Sequence, residues 1–396
     1  MKNGIGGPRW PEIGIIALVP DFWSQRWMVR HQVMARLGRY FQVLWLNPAN
    51  HWRETIQSWR ASNPREMLLF PGFSVYTPEP WLPMFYRPLW LDRFSFALRV
   101  RRASQWLTSR GCTKTVLYLW LPKFESALSA IPYDLSCYHL EDEYSYSPTE
   151  LPLDPVESRV LAAVDQVFML SPALFEKKSS LNPQTLFAPG GVDYAEYSRP
   201  VAEPADLAQV PHPRIGYIGS IKKQLDWNLL NHLITRHPQW SFVFLGPKIH
   251  EGISEAVQVL SDRSNVYFLG AKASSDMPRY PQHFDVCIMP YTNDGYTKFI
   301  YPLKLHEYLA AGRPTVGTPI RSLQDFSHVV ALPRTPDEWS RAIASCLDPA
   351  ANSPERCAER REVARQYDWN RVVNEIANTI ARRLGSEIPE PPSSQP

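Results

Sequence analysis

Short apolar runs alternate with amphipathic stretches along this chain, and the alternation limits the folds that it can adopt. In the first half the apolar runs are IGIIALV, FQVLWLNP, TKTVLYLWLP, DLSCYHLED, VDQVFMLS and QTLFAPGG. In the second half they are PRIGYIGS, WSFVFLGP, NVYFLGA, FDVCIMPY and PTVGTP, and stretches such as DWNLLNHLITRH have helical spacing. Continuous apolar runs are typical of strands buried on both faces of a parallel sheet. The pattern therefore predicts an α/β protein built around parallel sheets.

The length of 396 residues exceeds that of a usual single domain, so two domains are expected. Their boundary is predicted in SRPVAEPADLAQVPHPR, which is rich in Pro and has no periodicity. The predicted organisation is an N-terminal domain at 10–197, a linker at 198–212, a C-terminal domain at 213–365, a closing helix that crosses back to the N-terminal domain at 366–385, and a disordered tail at 386–396. Ligands bind at the carboxyl ends of parallel strands, so we expect a ligand in a cleft between the two domains.

Charge and cysteine content argue against several kinds of protein. Basic residues number 42 and acidic residues 39, and the net charge of +3 is too small to indicate nucleic acid as a partner. The five Cys residues form no CxxC pair, which argues against structural zinc and a disulfide framework and favours the cytoplasm. The apolar run Ile13–Val19 is far shorter than the ~20 residues of a membrane span. It is interpreted as the first strand.

The stretch YPLKLHEYLAAGRPTVGT, residues 301–318, combines helix signals with two opposite charges. Pro302 suits the first turn of a helix and Gly312 suits its end. Lys304 and Glu307 share one helix face at i, i+3 spacing. The start of a helix attracts anions, so a diphosphate there would stabilise Lys304, and Glu307 can accept hydrogen bonds from two sugar hydroxyls. The alternative is a solvated ion pair on an ordinary helix.

This stretch resembles the donor-site helix of GT-B glycosyltransferases, especially the family 4-like (group 1) bacterial enzymes of polysaccharide biosynthesis. RIGYIGSIKKQLDWNLL, DQVFMLSPALFEKK, APGGVDYAEYSRP and PDFWSQRWMVRHQVMARLGRYFQVLWLNP resemble other segments of that family in the family's order. The resemblance implies a GT-B fold, with two Rossmann-like domains whose parallel sheets face a central cleft. It also implies a hexosyltransferase-type enzyme, independent of metal and cofactor, that moves a sugar from a nucleotide-sugar donor to a saccharide or lipid-linked acceptor.

The resemblance assigns roles to particular positions of this sequence. The candidate donor-binding residues are Gly219, Ser220, Lys222, Gly270, Lys304 and Glu307. Lys304 is expected to bind the diphosphate and Glu307 the ribose hydroxyls, while the loop Gly219–Lys222 approaches the phosphates. Gly219 allows close approach of the backbone. The turn near Gly270 is a candidate for holding the base. For Lys222, a solvated loop is the alternative.

The acidic stretch CYHLEDEYS follows a predicted strand of the first domain, so its acids are expected at the rim of the cleft. Asp142 matches an acid that recurs in the resembling subgroup, and it is the candidate catalytic base. The alternative is an acidic loop that caps the next helix. No metal is predicted, because Lys304 can already neutralise a diphosphate. Phe299 stands where the family often has a second Glu, which leaves the sugar and the stereochemistry open.

Two other classes of function remain open. Sugar-nucleotide 2-epimerases share the GT-B architecture and need no acceptor, so an assay with donor alone separates them from a transferase. A non-catalytic GT-B module that only binds is the second alternative. The presence of Lys304 and Glu307 together with the Gly219 loop argues against it, and donor hydrolysis or transfer by the purified protein would exclude it.

The segment WLPMFYRPLWLDRFSFALRVRRASQW, residues Trp81–Trp106, interleaves aromatic and basic side chains. Such a mixture is typical of a segment that lies at a membrane interface, and the run is too charged to span a bilayer. It predicts that the first domain docks on an anionic membrane through cations that include Arg99, Arg101 and Arg102. The protein would then be cytoplasmic and peripheral at the inner face of the membrane. The alternative is that the aromatic residues are core and the Arg residues a solvated helix face.

Overall fold

The structure is a computed structural model, and it describes residues 7–24, 27–53, 66–144, 153–249 and 253–387. The predicted disordered tail lies almost wholly outside these ranges. The chain divides into two compact units. The first contains residues 1–170, 174–188 and 372–396, and the second contains residues 171–173 and 189–371. The roles predicted for the two domains stay predictions.

An eight-stranded sheet forms the centre of the first unit. Its strands are β1 (Trp10–Leu18), β2 (Phe41–Leu46), β3 (Glu66–Phe70), β4 (Phe73–Tyr76), β5 (Lys114–Leu119), β6 (Leu135–Leu140), β7 (Gln166–Met169) and β8 (Thr185–Phe187). The order is β3-β4-β2-β1-β5-β6-β7-β8, and β3 alone of these strands is antiparallel to its neighbour. The helices along this part of the chain are α1 (Val29–Leu37), α2 (Leu89–Ser109), α3 (Pro155–Ala163) and α4 (Pro172–Lys178). The carboxyl ends of the parallel strands therefore lie along one edge.

A six-stranded parallel sheet forms the centre of the second unit, in the order β11-β10-β9-β12-β13-β14. Its strands are β9 (Arg214–Ile218), β10 (Ser241–Leu245), β11 (Val266–Gly270), β12 (Val286–Met289), β13 (Thr315–Gly317) and β14 (Val330–Ala331). The helices are α5 (Tyr194–Ser198), α6 (Trp227–Arg236), α7 (Ser254–Ser261), α8 (Lys304–Ala310), α9 (Arg321–Gln324), α10 (Pro336–Cys346) and α11 (Pro354–Gln366). Asp226 caps α6 by accepting a hydrogen bond from Leu229 N at 2.9 Å.

The predicted linker 198–212 packs against the second unit. Leu207 and Val210 are buried in its hydrophobic core. The Tyr280 hydroxyl donates to Asp206 Oδ1 at 3.1 Å, and Arg214 pairs with Glu203. Apolar residues spaced among the Pro residues give this segment its anchors, although it has no regular secondary structure over most of its length.

The closing helix is α12 (Trp369–Arg383). Its residues from Val372 onward belong to the first unit. Arg383 donates to the carbonyl of Asp165 at 3.0 Å, and Lys114 donates to the carbonyl of Leu384 at 2.6 Å. The amphipathic pattern of this helix follows from the apolar face that it buries there, which includes Ile376 and Ile380.

Candidate active site

Three neighbouring strands of the second sheet have a glycine at their carboxyl ends. Gly219 directly follows β9, Gly246 directly follows β10, and Gly270 is the last residue of β11. Gly219 N donates to Leu245 O at 2.8 Å, and Gly246 N donates to Gly270 O at 2.9 Å. Gly219 has a φ of +133°, and a Cβ at this position would lie 2.8 Å from Lys304 Nζ. A Cβ at Gly246 would lie 2.1 Å from Gly219 O. Both positions therefore require glycine, and backbone groups lie along this edge where a ligand can approach them.

Lys304 is the first residue of α8, and its ammonium lies at this same edge. Its Nζ donates to the hydroxyls of Tyr217 and Tyr291, at 2.9 Å in each case. The ammonium also lies over the Tyr217 ring, 4.2 Å from its centroid. Both tyrosines are buried, whereas Lys304 keeps part of its surface exposed. A cation at the carboxyl ends of parallel strands is well placed for an anionic ligand.

The loop after β9 joins this arrangement through Tyr217. The Tyr217 hydroxyl accepts from Lys304 and donates to Ser220 O at 3.0 Å. Lys222 follows in the same loop and is half-buried, and its carbonyl accepts from Leu225 N at 3.1 Å. Gly270 is exposed at the end of β11, two strands from Gly219. The structure therefore brings Gly219, Ser220 and Lys304 together, and leaves Gly270 further along the edge.

Glu307 lies one turn after Lys304 and is half-buried. The hydroxyl of Tyr197 in α5 interacts with its carboxylate, and the pKa of Tyr197 is raised well above its usual range, mainly by burial and further by Glu307. Helix α8 is fixed by its other face. The Tyr308 hydroxyl accepts from Ile218 N at 2.7 Å, and His306 Nε2 lies 2.7 Å from the Tyr301 hydroxyl. These contacts hold both charged residues of the motif at the end of β9.

The three acids after β6 have different environments. Glu141 Oε1 lies 2.5 Å from Arg30 Nη2, and Arg30 Nε lies 3.0 Å from Asp21 Oδ2. Asp142 is half-buried, and its Oδ1 accepts from Glu143 N at 2.9 Å. Glu143 is buried and takes part in an ion-pair cluster with Lys177 and Lys178. The three consecutive carboxylates therefore do not form one site.

Burial shifts the pKa values of two side chains that precede Asp142 in the sequence. It raises the pKa of Glu141 to about 7, although the neighbouring Arg30 lowers that pKa. It lowers the pKa of His139 to about 3, and this imidazole stacks on Trp120 with ring centroids 4.3 Å apart. His139 is therefore a neutral residue of the core and Glu141 is the acid whose proton exchanges near neutral pH.

The segment Trp81–Trp106 differs from the prediction in its cations. Arg99 is buried, with its guanidinium 5.3 Å from the Phe96 ring centroid. Arg102 donates to Glu79 Oε1 at 2.6 Å, and Arg101 donates to Ala130 O at 3.1 Å. Arg99 is therefore not a docking cation, because the turn spacing of α2 places it on the face that packs against the unit. Arg87, Arg93 and Arg102 are exposed beside exposed aromatic side chains, and the Arg102 guanidinium lies 4.6 Å from the Trp81 ring centroid.

Sequence reasoning missed the residues that hold the motif. Tyr217, Tyr291 and Tyr197 come from other strands and helices, and no local pattern connects them to Lys304 or Glu307. The one available signal was the presence of a Tyr at or just beyond the end of two apolar runs, IGYI and CIMPY. Likewise, no local pattern connects Arg30 to Glu141, which lies 111 residues further along the chain.

Two features are absent from the described ranges. Within them, no three His, Cys, Asp or Glu side chains are grouped so that they could hold a metal ion. None of the helices in the same ranges is both long and apolar enough to cross a bilayer.

Comparison with known sequences gives two matches. Residues 212–349 match the sequence model of the family described as glycosyl transferases group 1. TuaH of Bacillus subtilis (strain 168), provisionally named a teichuronic acid biosynthesis glycosyltransferase, is 33% identical over 165 residues. That match covers 41% of this chain and 41% of TuaH, so the chain matches about two fifths of the length of this relative.

Comparison with solved structures tests the fold over nearly the whole chain. An E. coli structure described as trehalose-6-phosphate bound with UDP-2-fluoro glucose has a TM-score of 0.69 at 13% identity, over 94% of this chain and 99% of that chain. HepE from Anabaena, in complex with UDP and glucose, has a TM-score of 0.65 at 15% identity, over the same shares. These structures have the GT-B fold, so the predicted fold is confirmed. The match of residues 212–349 to the family model lies within the second unit of this fold.

Proposed function

We propose that this protein is a glycosyltransferase that moves a sugar from a nucleotide-sugar donor to a saccharide acceptor in polysaccharide or glycoconjugate assembly. One observation carries the proposal. The Lys304 ammonium lies at the carboxyl edge of the second sheet, beside Gly219, where it donates to the hydroxyls of Tyr217 and Tyr291. The family match lies in this same unit. A relative named as a glycosyltransferase and structural neighbours solved with UDP sugars or with UDP and glucose support it further.

The donor would use the arrangement around Gly219. Lys304 supplies the charge for the diphosphate, and the backbone at Gly219 and Ser220 lies next to it. A charge-assisted contact of this kind is worth ~1.5–3 kcal/mol. Glu307 would accept hydrogen bonds from the ribose hydroxyls, in the orientation that Tyr197 supports. Lys222 and the backbone near Gly270 are proposed to complete the contacts, to phosphate and base respectively.

Asp142 is proposed to act on the acceptor hydroxyl. Transfer with inversion requires a base there, and removal of a general base slows a reaction ~10²–10⁴-fold. Asp142 is half-buried at the end of β6, and the neighbouring Arg30 and Glu141 are paired with each other.

Purified protein titrated with a panel of nucleoside diphosphates and sugar nucleotides tests the donor site. A ligand at 100 times its dissociation constant stabilises the protein by ~2.7 kcal/mol, which thermal unfolding detects easily. The best donor is then incubated with and without candidate acceptors. Conversion of the donor to an epimer without acceptor would instead indicate an epimerase, and binding without either reaction would indicate a non-catalytic module.

We further propose that the first unit docks on an anionic membrane at the cytoplasmic face, where a lipid-linked acceptor would be reached. The docking patch consists of the exposed side chains Trp81, Tyr86, Leu89, Trp90 and Phe94. Arg87 and Arg93 are exposed between them. Aromatic side chains insert at the headgroup level, and each Arg beside an anionic leaflet contributes ~1 kcal/mol.

Co-sedimentation with liposomes that contain anionic lipid tests the docking patch at low and high salt. We expect binding at low salt that weakens as salt screens the charges. Arg87→Glu with Arg93→Glu should abolish it. The matched control is Arg110→Glu, an exposed Arg at the opposite end of α2. Wild-type protein that stays in the supernatant at low salt would contradict docking and indicate an acceptor in solution.

A further inference from the structure

The two hydroxyls that contact Lys304 come from adjacent strands. Tyr217 lies in β9, and Tyr291 follows β12, which pairs with β9 in the sheet. The Tyr217 side chain is 1% exposed and that of Tyr291 is 4% exposed. Two buried side chains, one in β9 and one just after β12, therefore orient the ammonium, whereas a lysine side chain alone has four rotatable bonds.

These two partners do not themselves neutralise the charge of Lys304. Phenol hydroxyls accept hydrogen bonds from an ammonium without neutralising it, unlike the carboxylate of an ion pair. Burial raises the pKa of Tyr291 well above its usual range, so this hydroxyl stays neutral. The contacts thus orient the cation while preserving its charge.

Tyr217 extends the same arrangement into the loop after β9. Its hydroxyl donates to Ser220 O at 3.0 Å, so the oxygen that accepts from Lys304 is also fixed by the loop. The position of the ammonium is therefore linked to that of the backbone at Gly219 and Ser220 through one hydroxyl group.

We propose that Tyr217 and Tyr291 are positioning residues that hold the Lys304 ammonium for the diphosphate of a nucleotide-sugar donor. The inference rests on the proposed function and concerns the same site. Neither tyrosine needs to contact the ligand. Removal of either hydroxyl leaves the charge in place but lets the lysine side chain sample other rotamers, so the ligand must order it on binding.

Tyr217→Phe and Tyr291→Phe test this, because each keeps the ring and removes the hydroxyl. The probe is whichever of UDP, GDP and ADP binds the wild-type protein best by calorimetry. We expect each variant to bind it about 3- to 10-fold more weakly, in line with the loss of one hydrogen bond. The control is Tyr280→Phe in the same unit, whose hydroxyl donates to Asp206 instead, and it should bind as the wild type does.

A role through Lys304 has a signature that a merely structural role lacks. In a Lys304→Ala background, Tyr291→Phe should cause no further loss of affinity, whereas a structural effect would persist and add. The same test on Tyr217→Phe serves if the Tyr291 variant does not fold. Wild-type affinity in both tyrosine variants, with Lys304→Ala still weakened, would overturn the positioning role and leave the donor site intact. Wild-type affinity in Lys304→Ala would instead overturn the proposed donor site itself.

Discussion

The two units treat a buried or half-buried lysine in opposite ways. In the first unit Lys178 is fully buried, and its ammonium lies 2.7 Å from Glu143 and 2.9 Å from Glu157. In the second unit Lys304 donates to the hydroxyls of Tyr217 and Tyr291. The first lysine is fully buried between two carboxylates, while the second contacts two neutral hydroxyls at a partly exposed edge. The chemistry of the partners, more than the presence of a charge, distinguishes a structural cation from one that can bind a ligand.

The acids of the first unit show the same distinction. Glu141 pairs with Arg30, and Glu143 pairs with Lys178. Asp142 lies between them in sequence, and its side chain accepts a hydrogen bond from Glu143 N. Four experiments test this comparison between charges that pair in the interior and charges that we propose to act on ligands.

Asp142→Asn should give the largest effect. If Asp142 is the base, transfer falls ~10²–10⁴-fold while donor affinity changes little, since the lost carboxylate acts on the acceptor. Initial rates and calorimetry on the same preparation measure both quantities. The control is Asp348→Asn, which also removes a carboxylate that accepts from a nearby backbone N–H, at 2.8 Å. Turnover at the wild-type rate in Asp142→Asn would make this residue a capping group only.

Lys178→Met should destabilise the protein strongly. The substitution leaves Glu143 and Glu157 buried without their shared cation, and loss of one partner from a buried ion pair costs ~3–5 kcal/mol. Urea unfolding of the variant beside the wild type measures the loss. If Lys178→Met unfolds at the wild-type urea concentration, the cluster does not stabilise the first unit, and Lys178 is not the structural cation that distinguishes it from Lys304.

Lys304→Ala should weaken ligand binding strongly and change the stability of the protein little. Nucleoside diphosphate affinity is expected to fall about 10- to 100-fold, because a charge-assisted phosphate contact is lost. Stability should change far less than in Lys178→Met, since the Lys304 side chain is partly exposed. Lys223→Ala removes an exposed lysine from the neighbouring loop and serves as the control for net charge. A large loss of stability without a loss of affinity would make Lys304 a structural cation as well.

Glu141→Gln should change how stability depends on pH. Because the pKa of Glu141 in the folded protein is about 7, above its usual value of 4.5, the folded state binds the extra proton between these values. Wild-type stability attributable to this group therefore falls as pH rises from about 4.5 to 7. In Glu141→Gln this component, on the order of 1–3 kcal/mol, should be absent. Urea unfolding at pH 5 and pH 7.5 measures it, and parallel pH profiles for both proteins would contradict the raised pKa.

Much of the fold was predictable because its signals are local. Apolar runs located most of the strands, including β1, β9 and β12, since a strand buried on both faces must be apolar throughout. The short strands β3 and β4 were missed although the sequence has the apolar runs MLLF and FSVY there, because runs of about four residues do not by themselves distinguish a strand from other buried chain. The Pro-rich segment was identified, but its packing on the second unit was not, since burial of Leu207 and Val210 depends on surfaces far away in sequence.

The candidate site shows where the sequence by itself was sufficient. Lys304 and Glu307 were paired from their spacing, because three residues on a helix always bring side chains to one face. Gly219 was selected as a position where the backbone approaches the donor phosphates, which stays a prediction, and a Cβ there would lie 2.8 Å from Lys304 Nζ. These inferences use geometry within a single turn or loop, which the chain carries with it in any fold.

Only the tertiary structure decided which charges are neutralised. The tyrosines that hold Lys304 lie 87 and 13 residues away from it in sequence. The pairing of Arg30 with Glu141, and the burial of Arg99, likewise depend on which helix face meets which strand end. A charged side chain has the same formula in every environment, but its hydration, its partners and its protonation are set by neighbours that only folding brings together.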